Sequence, residues 1–159
     1  MKNLQLQAAN NTETHNDSYF WDIIKDINWI DHMDDTDENP NEYVKNYLIG
    51  FLDDEFVGEF LNFVVDRKKE IQDEYRKYKK ENNLPLYCSD DAFWDVTSSI
   101  IGMGEECYKL ALKTPEFIDF IYDTDNYFEN FEYGFDSAIY ETQELMDKYN
   151  KQNSEEDDE

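Results

Sequence analysis

Histidine, cysteine, proline and glycine are all scarce in this 159-residue chain, which has two His, two Cys, three Pro and five Gly. Cys88 and Cys107 form no C-x-x-C pair, so we expect two reduced thiols rather than a disulfide framework. Because His15 and His32 are the only histidines, a His-based catalytic triad or a zinc site lacks partners. We expect His32 to be a surface or partly packed residue. The sequence predicts no metal and no cofactor.

Long apolar segments are absent as well. No stretch approaches about eighteen consecutive apolar residues, the length that a membrane-spanning helix requires. The N-terminal M-K-N-L-Q-L-Q-A-A-N contains no apolar core of a signal peptide. We therefore expect a soluble, cytoplasmic protein that does not bind membranes.

Basic residues are few compared with acidic ones. Fourteen Lys and Arg stand against 39 Asp and Glu, which gives a formal net charge of −25. Aromatic residues nevertheless make up 16% of the chain, whereas disordered acidic chains are poor in them, so this chain should fold. The charge repels phosphates and anionic lipid headgroups. We expect no direct nucleic-acid binding, and a basic protein surface as the favoured partner.

Patterns typical of β-strands are missing, because no segment alternates polar and apolar residues for long. Apolar residues instead recur every three or four positions, which predicts an all-α fold of about six helices in one compact domain. We assign this domain to residues 18–150, between disordered tails at 1–17 and 151–159. The last predicted helix carries one apolar stripe: Phe128, Phe131, Phe135, Ala138, Thr142, Leu145 and Tyr149.

One segment departs from the acidic composition. Residues 67–80, R-K-K-E-I-Q-D-E-Y-R-K-Y-K-K, contain seven of the fourteen bases. The favoured interpretation is pairing with acidic neighbours such as Glu70 and Glu74, together with favourable charge near a helix C-terminus. The alternative is a small positive patch that docks a negative group.

The best candidate for chemistry is the run Ser89, Asp90 and Asp91, which directly precedes a helical pattern. A hydroxyl or carboxylate at this place accepts hydrogen bonds from the first helical turn, and negative charge offsets the helix dipole. Catalysis would need a converging third carboxylate or a histidine. We therefore predict a helix cap and no catalytic site. Gly102 and Gly104 likewise indicate a helix end rather than a phosphate loop.

The acidic loop before Pro40 matches a calcium-binding loop only in part. Asp35, Asp37 and Asn39 have the spacing of a calcium loop, but Pro40 occupies the position that needs Gly and Asn46 the one that needs Glu. The pair Asp123 and Asp125 fails in the same way. Neither loop predicts a metal site.

A family resemblance emerges from the centre of the chain. Aligned from Ser89, the sequence carries S-D-D-x-F, then I-I at 100 and 101, Gly104, Tyr108, A-L at 111 and 112, and Pro115. This pattern, together with an aromatic pair at Phe20 and Trp21, resembles a bacterial helical family catalogued as domain of unknown function 4240. The resemblance spans residues 19–141 and implies a helical fold without an assigned activity. The chain has Thr97 and Ser99 within the segment where the family shows F-R-x-W-L-I, so it cannot perform any task of that Arg.

Taken together, composition and resemblance favour a non-enzymatic acidic binding protein. We expect an immunity protein or antitoxin-like inhibitor that neutralises a basic partner such as a nuclease toxin. One alternative is a phage-type anti-defence inhibitor that mimics nucleic acid, and another is a helical domain whose charge serves only solubility. Trp29, Tyr43 and Tyr47 are the predicted aromatic anchors for a partner, although their spacing fits core positions equally well.

Overall fold

The computed structural model describes residues 16–33, 39–51, 53–86, 88–128 and 131–156. Across these ranges the regular structure is helical and contains no strand, so the all-α prediction is confirmed. The helices in chain order are α1 (Asp17–Ile27), a 3-10 helix (Trp29–His32), α2 (Pro40–Ile49), α3 (Asp54–Glu81), α4 (Asp90–Gly102), α5 (Glu105–Lys113), α6 (Glu116–Asp123) and α7 (Tyr133–Glu156). None of these helices is both long enough and apolar enough to cross a membrane.

Side-chain caps start four of the helices. Asn16, Asn39, Asp53 and Ser89 each accept a hydrogen bond from a backbone N–H in the first turn that follows. Such caps satisfy donors that have no partner within the helix. Pro40 occupies the first position of α2, where its missing N–H has no cost. These four helix starts are thus encoded by residues within the first turn or directly before it.

The long helix α3 is the centre of the fold. Its 28 residues extend about 42 Å at 1.5 Å per residue, and it contacts α1, α4, α5 and α7. Phe60 stacks on Phe20 of α1 with ring centroids 5.0 Å apart and meets Phe135 of α7 edge-on at 4.8 Å. The buried aromatic residues of the core are Phe20, Trp21, Trp29, Phe51, Phe56, Phe60, Phe63, Tyr75, Phe93, Tyr108, Phe131 and Phe135.

Two glycines shape the turn from α4 to α5. Gly104 has a φ of 108°, a conformation that L side chains rarely adopt. Gly102 ends α4 close to the core, where an added Cβ would lie 2.8 Å from Cε3 of Trp29. Both glycines mark the end of a helix, as the sequence indicated, and Gly104 also serves as the N-cap of α5.

Helix α6 was not among the predicted helices, and three helix boundaries also differ from the sequence prediction. Helix α7 begins at Tyr133 rather than near Phe128, and it continues to Glu156, six residues into the predicted tail at 151–159. Helix α1 begins at Asp17, the last residue of the other predicted tail. The first fifteen residues of that tail lie outside the described residues.

Candidate functional site

The run from Ser89 to Asp91 lies at the start of α4. Ser89 is the N-cap, and its Oγ accepts a hydrogen bond from the backbone N–H of Ala92 at 3.3 Å. Asp90 and Asp91 occupy the first turn and are exposed. Among the described residues, no group of three His, Cys, Asp or Glu side chains is arranged to hold a metal ion. At these positions the carboxylates offset the positive end of the α4 dipole.

Among the described residues, His32, Cys88 and Cys107 are the other candidates for chemistry that the sequence singled out. His32 is half-buried and stacks on Tyr43, with ring centroids 3.7 Å apart. Cys88 and Cys107 are free thiols, and burial raises the pKa of both, which lowers the fraction of reactive thiolate at neutral pH. Asn39 caps α2, while Asp35, Asp37 and His15 lie outside the described residues.

A buried charged cluster involves the first part of the basic segment. Lys68 is 1% exposed, and its ammonium group donates to the Glu132 carboxylate and lies 3.0 Å from the centre of the Trp94 ring. Burial lowers the pKa of Lys68, although its bond to Glu132 acts in the opposite direction. Ser98 Oγ is 3.4 Å from Glu132 Oε1. Because Lys68 and Glu132 are closed to solvent, this cluster joins helices and does not present a reactive amine to a substrate.

A second ion pair, between a buried lysine and a half-buried aspartate, lies toward the end of α3. Lys79 Nζ is 2.6 Å from Asp119 Oδ2, and the Tyr75 hydroxyl donates to Asp119 Oδ1 at 2.6 Å. These bonds tie α3 to α6. Like Lys68, Lys79 takes its partner from a distant part of the chain, a contact that helical spacing within α3 does not reveal.

Two further bases of the segment pair at the surface. Arg67 contacts Asp17 at 3.2 Å and Glu70 at 3.3 Å, and Arg76 lies 3.7 Å from Asp73. Four of the segment's seven bases are thus in ion pairs within the chain, while Lys69, Lys77 and Lys80 are exposed. The Arg67–Glu70 pair is one of the helical pairings that the sequence indicated.

The three predicted aromatic anchors occupy different environments. Trp29 is 0% exposed and packs edge-on against Phe131 at 5.1 Å. A fully buried indole cannot contact a partner, so the prediction for Trp29 is wrong. Tyr43 and Tyr47 are half-buried. The Tyr47 hydroxyl donates a hydrogen bond to Asp26. Burial raises the pKa of Tyr47, and this hydrogen bond raises it further.

The apolar stripe of α7 is buried only over its first half. Phe135, Ala138 and Thr142 are buried, whereas Leu145 is 41% and Tyr149 61% exposed. The predicted stripe is thus packed into the core as far as Thr142 and exposed to solvent at its last two members. From residue 143 onward, every described side chain of α7 is exposed.

A groove of about 510 Å³ lies between α2 and α7. Four carboxylates, two ammonium groups and two large side chains are among its lining: Glu42, Asp136, Glu141, Glu144, Lys45, Lys148, Tyr140 and Leu145. Lys45 Nζ bridges the two helices, at 2.7 Å from Glu42 and 3.3 Å from Glu141. Hydrogen bonds to these carboxylates raise the pKa of Lys45. The sequence pattern does not reveal this groove, since its two walls are about 100 residues apart in the chain.

The described structure is thus a helical domain with an acidic, partly aromatic groove. The family model described as Protein of unknown function (DUF4240) matches residues 16–147. The chain belongs to this family, as the central motif indicated. No curated protein and no solved structure matches the chain significantly. The matched range includes the buried Lys68–Glu132 pair and all of the groove except Lys148.

Proposed function

We propose that this protein is a non-enzymatic acidic binding protein that neutralises a basic protein partner, in the manner of an immunity protein or antitoxin. The proposal rests on one observation: several of the few Lys and Arg side chains form ion pairs with carboxylates of the same chain. Lys68 and Lys79 are buried against carboxylates of the same chain. Arg67, Arg76, Lys45 and Lys109 also contact carboxylates of their own chain.

The pairing has a direct electrostatic consequence. Each ion pair cancels one acid and one base, so the chain keeps its formal charge of −25 but loses cations that could bind phosphate. Such a field accelerates encounter with a positively charged surface and disfavours nucleic acid. A basic protein such as a nuclease is the partner that this charge fits best.

The arrangement of potential catalytic groups supports binding rather than chemistry. The adjacent carboxylates Asp90 and Asp91 lie at a helix start, and the buried ammonium of Lys68 is closed to solvent. A catalytic group must reach its substrate, which the buried Lys68 cannot do. Asp90 and Asp91 are exposed, but among the described residues they do not belong to a group of three His, Cys, Asp or Glu side chains that could hold a metal ion. The surface is therefore the favoured functional feature.

Nucleic-acid mimicry by an anti-defence inhibitor is the second candidate. A mimic needs rows of carboxylates that stand in for phosphates, and Asp136, Glu144 and Asp147 on α7 are an exposed series of acids. Lys148 and Lys151 lie directly after these acids on the same helix. Two bases beside the acids make this surface less like a row of phosphates, which favours docking of a basic protein over mimicry.

Association kinetics provide the test. The basic protein captured from a native-host lysate should be purified and mixed with this protein by stopped flow, from about 50 to 500 mM salt. The association rate should fall steeply with salt, because attraction between exposed charges is screened beyond about 10 Å at 0.1 M. A rate indifferent to salt would mean that the charge serves solubility only. Preferential retention of DNA would also contradict the proposal.

A further inference from the structure

We propose that the groove between α2 and α7 is the docking site for a cationic, arginine- or lysine-bearing segment of the partner. This inference rests on the proposed function and assigns it to one place on the surface. The groove combines a negative lining with an exposed aromatic ring, Tyr140, and an exposed aliphatic side chain, Leu145. A cationic side chain with an apolar stem fits both kinds of contact.

Lys45 shows that the groove can accommodate a cation. Its ammonium already lies between Glu42 of α2 and Glu141 of α7. Glu144 and Asp136 line the same groove and are exposed. A partner's guanidinium or ammonium can therefore bind beside Lys45 without displacing it. Removal of Lys45 would free two further carboxylates for the partner.

The exposed ring of Tyr140 favours binding of a cationic side chain over binding of a simple ion. Tyr140 is 65% exposed, and a cation over an exposed aromatic face is attracted to the negative face of the ring. The groove volume of about 510 Å³ lies within the range of about 300–1,000 Å³ that is usual for ligand sites. Several side chains of an extended or helical segment can enter such a space.

A second copy of this chain is a poorer occupant than a basic partner. Two molecules that each carry −25 would bring like charges together at a groove in which acids outnumber bases. Like-charge contact opposes association, whereas an arginine-rich segment is attracted to the carboxylates that Lys45 leaves unpaired in the lining. Charge complementarity therefore selects the basic partner.

The test uses a fluorescein-labelled nine-arginine peptide as the probe, in about 150 mM salt, where the screening length is about 8 Å. Binding is measured by fluorescence anisotropy. The variant Tyr140→Ala with Glu144→Gln should weaken binding about tenfold, since it removes both an aromatic and a charge contact. The matched control is Tyr133→Ala with Glu106→Gln, which replaces an exposed tyrosine and an exposed glutamate that do not line the groove. This control should bind as the unchanged protein does.

A second pair of variants changes the charge in the opposite direction. Lys45→Gln removes an ammonium held by two carboxylates in the groove, and Lys109→Gln removes one held by Glu105 and Glu106 on α5. Both raise the net negative charge by one. Peptide affinity should rise several-fold for Lys45→Gln alone. Equal effects in the two variants would overturn the groove and leave the acidic-surface function standing.

The remaining outcomes also decide the proposal. Failure of the peptide to bind the unchanged protein would overturn the groove as a cation site. If sedimentation of the protein without peptide showed dimers that Tyr140→Ala dissociates, the occupant would be a second copy and the inference would be wrong. The proposed function is judged separately, by the salt dependence of association with the native partner.

Discussion

The ammonium group of Lys68 and the carboxylate of Glu132 bind each other inside the protein, although the two residues are 64 positions apart in the chain. Lys68 lies in the middle of α3, and Glu132 directly precedes α7. Transfer of both charges from water is costly, and their attraction offsets this cost only while both are present. The pair therefore fixes how the chain enters α7 against α3.

Replacement of one partner alone should be strongly destabilising. Lys68→Met leaves the Glu132 carboxylate buried without its counter-charge, so we expect a loss of about 3–5 kcal/mol in the free energy of unfolding. The double variant Lys68→Met with Glu132→Leu should recover most of this loss. Chemical denaturation measures all three proteins. Lys109→Met is the control, because its exposed pair with Glu105 should contribute at most about 1 kcal/mol. A small loss in the Lys68 single variant would contradict the buried-pair argument.

The contribution of the Ser89 cap to folding stability can be measured with two substitutions. Ser89→Ala removes the acceptor for the Ala92 N–H and should lower the free energy of unfolding by about 1 kcal/mol. Ser89→Asp retains a good capping acceptor and should stay within a few tenths of the unchanged protein. Urea denaturation of the two variants gives the comparison. Unchanged stability in Ser89→Ala would show that the cap contributes nothing.

Two glycines in helices should respond to alanine with opposite signs. At Gly134 an added Cβ would lie 2.6 Å from Val44 Cβ and 2.8 Å from the Asn41 carbonyl oxygen, so Gly134→Ala should cost about 1–3 kcal/mol through overpacking. At Gly58 nothing lies within 4 Å of the added atom. Gly58→Ala should therefore stabilise α3 by about 0.4–1 kcal/mol. Thermal unfolding of both variants checks the sign, and equal shifts would refute the close approach of α2 and α7.

Ionisation of the Tyr108 hydroxyl should cause part of the loss of folding stability at alkaline pH. It donates to Glu70, and burial together with this bond raises the pKa of Tyr108 to about 12, against about 10 in an unfolded chain. The folded state thus binds the proton more tightly, and its contribution to stability is complete below pH 10 and is lost as the pH rises to about 12. Tyr108→Phe should flatten the fall in stability over this interval. Denaturation curves at several pH values test this, and an unchanged slope would rule out the contribution.

Local signals in the sequence predict much of this fold. The S-D-D run before a helical pattern marks the start of α4, and apolar residues at three-four spacing identify α3. Caps and periodicity depend on residues within one or two turns, so the sequence displays them directly. Helix α6 was not predicted from the sequence because it is short and follows Pro115. That proline starts a helix here, as its fixed φ permits.

The charged contacts between helices could not be predicted in the same way. A lysine in a basic run has the pattern of a solvated helix face, and only the packing of α3 against the segment before α7 reveals that Lys68 is buried. Trp29 is the opposite example, because it was predicted as a surface anchor and is buried. A core residue and a surface anchor have the same spacing along a helix, so the sequence cannot distinguish them. The groove depends on the approach of α2 to α7, which spacing along the chain does not encode.

The fluorescence of Trp94 can report on the contact between α3 and α4. Trp21 and Trp29 are 6% and 0% exposed, whereas Trp94 is 41% exposed and has the Lys68 ammonium over its ring. An aqueous quencher such as acrylamide reaches Trp94 before the other two indoles. Because Trp94 lies on α4 and Lys68 on α3, a change in the emission of this accessible indole signals separation of the two helices while the buried indoles still emit as in the native state.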